Sequence, residues 1–318
     1  MINKTCKVIC TILLTTAAAF AQIKPAFKVV PLGVYGGSDE SNLSAYMVAP
    51  TGSNNYACMD AGTLQAGLEK AVKNHVFTVP ADTVLKRYIK GYFISHAHLD
   101  HVAGMIINSP DDAAKKVYGL KYTLDVLRDN YFTWKNWANF GSDGDKPVLN
   151  KYHYTPLNPG EKTPIDNTTM SVQAFVLSHG NPYQSTAFLV ESNGSYILYL
   201  GDTGADEIEK SDKLRQLWQY IAPLVKAKTL KAIMIEVSFA NQQPDKSLFG
   251  HLTPRLLMNE MAVLSTLAGP NAVEGLPVVV THLKPAGGHI ADIKKQLAAA
   301  NTLQLKLIYP QQGKMLEF

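Results

Sequence analysis

The chain has 318 residues, of which 46% are hydrophobic and 18% charged. That balance supports a packed core and excludes a disordered chain. A formal net charge of only +4, with no basic stripe, excludes a protein that tracks a nucleic-acid polymer.

The first segment reads as an address. Lys4 and Lys7 precede an apolar run from Val8 to Phe20, and Ala19-Phe20-Ala21 is a small-x-small cleavage site. This three-part pattern predicts a secretory signal peptide over 1–21, a mature start at Gln22, and a periplasmic or secreted protein with no membrane attachment after cleavage. An uncleaved anchor is the competing reading, but the run is shorter than the ~20 residues that a spanning helix needs. Cleavage would remove two lysines and lower the formal charge from +4 to +2. It would also remove Cys6 and Cys10, leaving Cys58 as a buried apolar residue and no internal disulfide.

Periodicity then predicts strands over 27–35, 44–49 and 56–60, the last ending in the turn Asp60-Ala61-Gly62-Thr63. A helix over 64–73, a strand over 88–95, a helix over 102–107, a strand over 116–120 and a helix over 122–130 follow. Residues 132–167 carry Trp134, Trp137, Phe140, Tyr152, His153 and Tyr154 among several Gly and Pro. They fit either a long loop over a site or a surface insertion with its own apolar cluster. The second half repeats the alternation, with strands over 170–177, 186–191 and 196–200, a helix over 212–225 and a strand over 230–237. A helix over 254–267, a strand over 277–281, a helix over 290–299 and a strand over 303–309 complete it. Two halves of strands then helices predict an α+β domain over 22–318, two sheets packed together with helices outside.

The densest chemistry is His96-Ala97-His98-Leu99-Asp100-His101, directly after the strand-like Tyr92-Phe93-Ile94-Ser95. Imidazole and carboxylate suit zinc, iron or manganese. In extended backbone His96 and His98 point to one side and can share a metal. Asp100 and His101 fall where the chain turns into a helix and can face a second position. His179, Asp202 and His282 each follow an apolar strand, at strand exits where sites collect. His251 is a candidate proton donor and Glu236 its orienting partner; a helix cap or a support for a ligand is the other reading of His251. Lys284 is a candidate phosphate contact, with a solvated lysine equally open. Tyr183, Phe239, Trp134, Trp137 and Phe140 are available to stack on a base. His75, His153 and His289 lack a strand-end context and are expected to be solvated or structural.

This set, HxHxDH followed by a His, an Asp after an apolar strand and a final His, resembles the metallo-β-lactamase fold. The resemblance implies an αββα four-layer sandwich with two divalent ions, zinc foremost, at its edge. It implies that His96, His98 and His179 hold one ion, that Asp100, His101 and His282 hold the other, and that Asp202 bridges them. Asp60 matches the early strand-end Asp of that fold. The longer run from His96 through Asn108-Ser109-Pro110 resembles the signature of the class II 3′,5′-cyclic-nucleotide phosphodiesterases. Gly250-His251-Leu252-Thr253-Pro254 and Thr281-His282-Leu283-Lys284-Pro285 are similar to later blocks of that family. The pair Glu236 and His251 also resembles an arrangement in transfer-RNA-processing nucleases of the same fold.

Membership of that family implies hydrolysis of cyclic AMP, cyclic GMP or both to the 5′-monophosphate by a hydroxide held between the ions, with Asp100 orienting it. The partner expected is therefore a small cyclic nucleotide. Two other classes stay open on sequence: a different hydrolase of this fold, such as a β-lactamase or lactonase, and a non-catalytic metal- or nucleotide-binding protein.

Overall fold

A computed structural model describes residues 24–318. The address segment expected over 1–21 lies outside the described residues. The strands, in chain order, are β1 (Phe27–Gly33), β2 (Ala45–Pro50), β3 (Tyr56–Met59), β4 (Ile89–Phe93), β5 (Lys115–Gly119), β6 (Tyr152–Pro156) and β7 (Thr163–Pro164). They continue as β8 (Ser171–Ser178), β9 (Gln184–Ser192), β10 (Ser195–Leu200), β11 (Leu230–Glu236), β12 (Pro277–Thr281), β13 (Lys306–Ile308) and β14 (Leu316–Glu317). The helices are α1 (Gln65–Lys73), α2 (Ala81–Thr83), α3 (Leu99–Asn108), α4 (Lys121–Val126), α5 (Asp206–Glu209), α6 (Lys213–Lys226), α7 (Pro254–Ala268) and α8 (His289–Ala300).

The strands form two seven-stranded sheets, ordered β14-β1-β2-β3-β4-β5-β6 and β13-β12-β11-β10-β9-β8-β7. Each half begins antiparallel and finishes parallel. β1, β2 and β3 pair antiparallel and β3 to β6 parallel, while β7 to β10 pair antiparallel and β10 to β13 parallel. Parallel strands need crossovers, and those crossovers are the helices that cover the outer faces.

Both faces of the central strands are apolar, and the two-residue period sorts the side chains. Val29, Tyr46, Val48, Met59 and Phe93 meet Phe188, Ile197, Tyr199, Met234 and Val279 between the sheets. The alternate residues Val30, Met47, Cys58 and Tyr92 turn outward, where Leu68 of α1 and Val102 and Met105 of α3 cover them. In the second sheet Leu198, Ile233, Ile235, Val278 and Val280 pack under Leu217 and Trp218 of α6, Leu257 and Met261 of α7, and Ile293 and Leu297 of α8. The result is the expected αββα sandwich. Cys58 is buried among apolar side chains, as its context predicts.

Several boundaries differ. The helix expected over 102–107 begins at Leu99, so Asp100 and His101 occupy its first turn. The final strand expected over 303–309 contracts to β13, and β14 was not anticipated because two residues carry no periodicity. Residues 132–167 do not form a lid. β6 adds to the edge of the first sheet beside β5. Phe132, Tyr152, Trp137, Phe140 and Tyr154 pack on the outer-face core. Trp137 Nε1 donates to Ser109 Oγ, anchoring the insertion to the end of α3. Trp134, Trp137 and Phe140 are thereby spoken for by packing or by solvent, not by the His/Asp cluster. Among the described residues, no helix is long and apolar enough to cross a membrane.

Candidate active site

The exits of β4, β8, β10, β11 and β12 lie along one edge of the sandwich. They bring together every strand-end residue singled out above. His96 Nε2 lies 3.0 Å from His98 Nδ1, and His179 Nε2 lies 3.4 Å from the same atom. His282 Nε2 lies 3.1 Å from Asp100 Oδ2, and His101 Nε2 lies 3.9 Å from it. One atom stands between these two sets. Asp202 Oδ2 is 3.8 and 3.9 Å from the Nε2 atoms of His96 and His179, and 3.3 and 3.2 Å from those of His101 and His282. The donors of His96, His98 and His179, and those of Asp100, His101, Asp202 and His282, form two groups whose atoms are mutually within 4.8 Å, so each group could hold a metal ion.

The nitrogens facing away from the cluster explain why the others face in. His101 Nδ1 meets Asp60 Oδ2 at 2.8 Å, His179 Nδ1 meets the Gly250 carbonyl at 2.8 Å, and His96 Nδ1 meets Ser95 Oγ at 3.0 Å. His282 Nδ1 meets Ser238 Oγ at 2.8 Å. Each outer nitrogen donates its proton to an oxygen, which leaves an inward lone pair, the state in which imidazole ligates a cation. Asp60, at the exit of β3, is no ligand. It accepts from Ser95 N and Oγ at 2.7 Å each and from Tyr199 Oη, across the sheets, at 2.6 Å.

Glu236, the last residue of β11, occupies the equivalent place in the second sheet. Its Oε1 meets His251 Nδ1 at 2.7 Å and accepts from Thr203 N at 3.2 Å. Its Oε2 accepts from Ser238 Oγ at 2.6 Å. Two buried carboxylates therefore anchor the site, each reaching one imidazole directly and a second through a serine: Asp60 with His101 and Ser95–His96, Glu236 with His251 and Ser238–His282. The expected pairing of Glu236 with His251 is present. His251 Nε2 lies 3.2 Å from Lys284 Nζ, which also lies 4.8 Å from the Phe239 ring centroid.

The electrostatics suit cations. Burial, aided by neighbouring imidazoles, holds His96 well below the ordinary imidazole range and brings His98 down to about 4. Burial also lowers His179. All three are therefore neutral at pH 7, as ligation requires. Burial opposes ionisation of Asp202, but His282 and His101 hold its carboxyl well below the usual range. Burial would likewise deprotonate His101, but Asp202, Asp60 and Asp100 draw a positive charge to it. His101 Nε2 is also a buried nitrogen without a hydrogen-bond partner. A buried nitrogen without a partner, in a pocket whose carboxylates draw positive charge, is a position that a divalent cation can satisfy in place of the second imidazole proton, so the residues present fit the metals implied by the fold.

Glycine makes part of the geometry possible. A Cβ on Gly36 would fall 2.0 Å from the His282 ring, and one on Gly250 would fall 2.2 Å from Gly180 N. Gly36 lets the β1–β2 connection press against His282, and the following Gly37 N donates to Asp100 Oδ2 at 3.0 Å. Of the aromatics considered for a base, Tyr183 stands at the cluster, its ring parallel to His98 at 4.7 Å and 8°, with Tyr122 edge-on at 5.6 Å. Phe239 packs edge-on to His251 at 5.7 Å. His75, His153 and His289 are exposed, as expected. Sequence reasoning missed Ser95, Ser238 and Tyr199; the only signal was a serine next to a ligand or two residues beyond a strand-end carboxylate.

Comparison with known proteins identifies the family. A family model described as cAMP phosphodiesterases class-II matches residues 27–313. A 3′,5′-cyclic-nucleotide phosphodiesterase of Aliivibrio fischeri is 44% identical, over 94% of this chain and 95% of that protein. A probable 3′,5′-cyclic-nucleotide phosphodiesterase of Yersinia pestis is 36% identical, over 92% of this chain and 90% of that one. Unliganded yeast PDE1 superposes with a TM-score of 0.80 at 23% identity, covering 92% of this chain and all of that one, which establishes the common fold. Matched by the family model over residues 27–313 and by these relatives along nearly its whole length, the chain belongs to the class II cAMP phosphodiesterases.

Proposed function

We propose that the chain hydrolyses 3′,5′-cyclic nucleotides to nucleoside 5′-monophosphates at this cluster. The observation that carries the reading is Asp202 Oδ2, which stands between two complete donor sets. His96, His98 and His179 would hold one divalent ion, Asp100, His101 and His282 the other, and Asp202 both, with zinc favoured by the imidazole-rich donors. When bound, such a pair lowers the pKa of a water and offsets the charge on the non-bridging phosphate oxygens.

The chain supplies positioning and proton transfer. Asp100 uses Oδ2 towards His282 and Gly37, so Oδ1 is free to accept from the attacking water and set its direction. A water oxygen–phosphorus bond forms as the phosphorus–O3′ bond breaks, and O3′ needs a proton. His251 is placed to give it. Glu236 fixes Nδ1–H, and burial, which would lower the His251 pKa, is outweighed by Glu236 and Asp202, which raise it. Lys284, whose ammonium faces Nε2 at 3.2 Å and opposes that protonation, would turn to the phosphate as a point charge, and a proton on Nε2 could then pass to the leaving oxygen. Tyr183 is the aromatic wall for the purine, where stacking contributes ~1–3 kcal/mol. The leader pattern supports export and action on nucleotides outside the cytoplasm. N-terminal sequencing of the exported protein is expected to begin at Gln22, and an intact Met1 would refute cleavage.

A substrate panel tests the assignment. Metal-loaded protein is expected to turn over cyclic AMP or cyclic GMP and to leave a cephalosporin and a lactone intact. Turnover of either of the latter with none of the cyclic nucleotides would place the chain's chemistry elsewhere on this fold.

A further inference from the structure

Next to the segment that carries Gly36 and Gly37 lies a cavity of about 610 Å³. Its walls include Lys70 of α1, Lys294 of α8 and Lys314 near the C-terminus, together with Tyr35, Tyr309 and Leu283. No carboxylate lines it. The lysine ion pairs among the described residues involve Lys86, Lys115, Lys116, Lys121 and Lys162, and none of these three. Two of the three have neutral neighbours. Lys70 Nζ lies 3.5 Å from Gln312 Oε1, and Lys294 Nζ lies 4.9 Å from the Tyr309 ring centroid. Three lysines from separate parts of the fold line one cavity that no carboxylate lines, so an anion bound there would meet positive charge from three sides. The volume lies in the range of small-molecule sites and exceeds what inorganic phosphate alone would fill.

We propose that this cavity is a second binding site, for a phosphate-bearing anion of nucleotide size, held by Lys70, Lys294 and Lys314. The wall it shares with the catalytic edge makes the site consequential. Tyr35 bridges to Leu283, Gly36 N donates to the Leu283 carbonyl at 3.2 Å, and Gly36 abuts the ring of His282. Gly37 N, one residue on, holds Asp100. An occupant against Tyr35 and Leu283 therefore bears on the segment that places two residues of one proposed metal position.

Equilibrium dialysis of labelled 5′-AMP against the full, metal-loaded chain tests the site. Wild type is expected to bind two molecules per chain. The triple variant Lys70→Ala, Lys294→Ala and Lys314→Ala is expected to bind one, at an unchanged melting temperature, and Lys294→Glu alone should weaken the second site at least tenfold. Equal stoichiometry in wild type and variants overturns the proposal. Displacement from this site by inorganic phosphate at the same concentration as 5′-AMP overturns the nucleotide-sized ligand, because the ring would then contribute nothing. Coupling is read from inhibition of cyclic AMP hydrolysis; this arm and the molecule retained by the triple variant rest on the proposed catalytic reading, whereas the loss of one molecule per chain between wild type and variant does not. Mixed inhibition by 5′-AMP in wild type, turning purely competitive in the triple variant, is the expected result; purely competitive inhibition in both removes the coupling.

Discussion

Ser238 shows how much depends on a hydroxyl that is no ligand. It accepts from His282 Nδ1 and donates to Glu236, so one oxygen fixes the tautomer of an imidazole through a buried carboxylate. Partners of this kind typically contribute 10–100-fold in metal affinity. Ser238→Ala is therefore expected to weaken metal binding by about that factor in a chelator competition, with the fold intact by circular dichroism; unchanged affinity would remove the relay. Loss of an inward donor is more severe, and His98→Ala and Asp100→Ala should each abolish turnover without unfolding the chain. His251 separates from both. Its replacement by alanine should slow cyclic AMP cleavage by ~10²–10⁴ while sparing a nitrophenyl phosphodiester, whose leaving group needs no proton. Equal losses on the two substrates would exclude the acid role. The seven inward residues were legible in the sequence because each follows an apolar strand or opens the helix after one. Ser95, Ser238 and Tyr199 were not, since a hydroxyl has no periodicity. Tyr199 reaches Asp60 only because the two sheets meet.

Among the elements, the strands that build the edge were the plainest. Val278-Val279-Val280 and Ile233-Met234-Ile235 bury both faces, and unbroken apolar runs of that length leave little choice. The connections were harder. The aromatic-rich stretch 132–167 suggested a cover for the site, yet its rings satisfy the outer core and β6 extends the first sheet, because apolar content alone does not say which surface it joins. The segment after β1 carries more of the site than its composition suggests. Gly36 abuts His282, and Gly36→Ala would push a methyl into an imidazole. Overpacking of this sort costs ~1–3 kcal/mol. We expect a lower melting temperature and at least one metal equivalent lost per chain, read by metal analysis after dialysis. Wild-type content and stability would show that the segment moves aside freely.

For the whole molecule, the site ties the two halves together. Tyr199 Oη to Asp60 and Thr186 Oγ1 to the Ser95 carbonyl, at 2.8 Å, join one sheet to the other at the edge where both halves contribute donors. Cations held by donors from both halves would favour the folded state. At a free concentration 100 times the dissociation constant, one site contributes about 2.7 kcal/mol. Removing the metals should then lower the melting temperature by roughly 5 °C or more, and re-addition should restore it. An unchanged transition would mean that the donors are satisfied without metal. The measurement closest to the central claim is chromatographic analysis of products from cyclic AMP and cyclic GMP, with purified protein before and after chelation. The account predicts 5′-monophosphate as the product, lost on chelation and regained with added zinc. A 3′-monophosphate, or turnover that persists without metal, would contradict it.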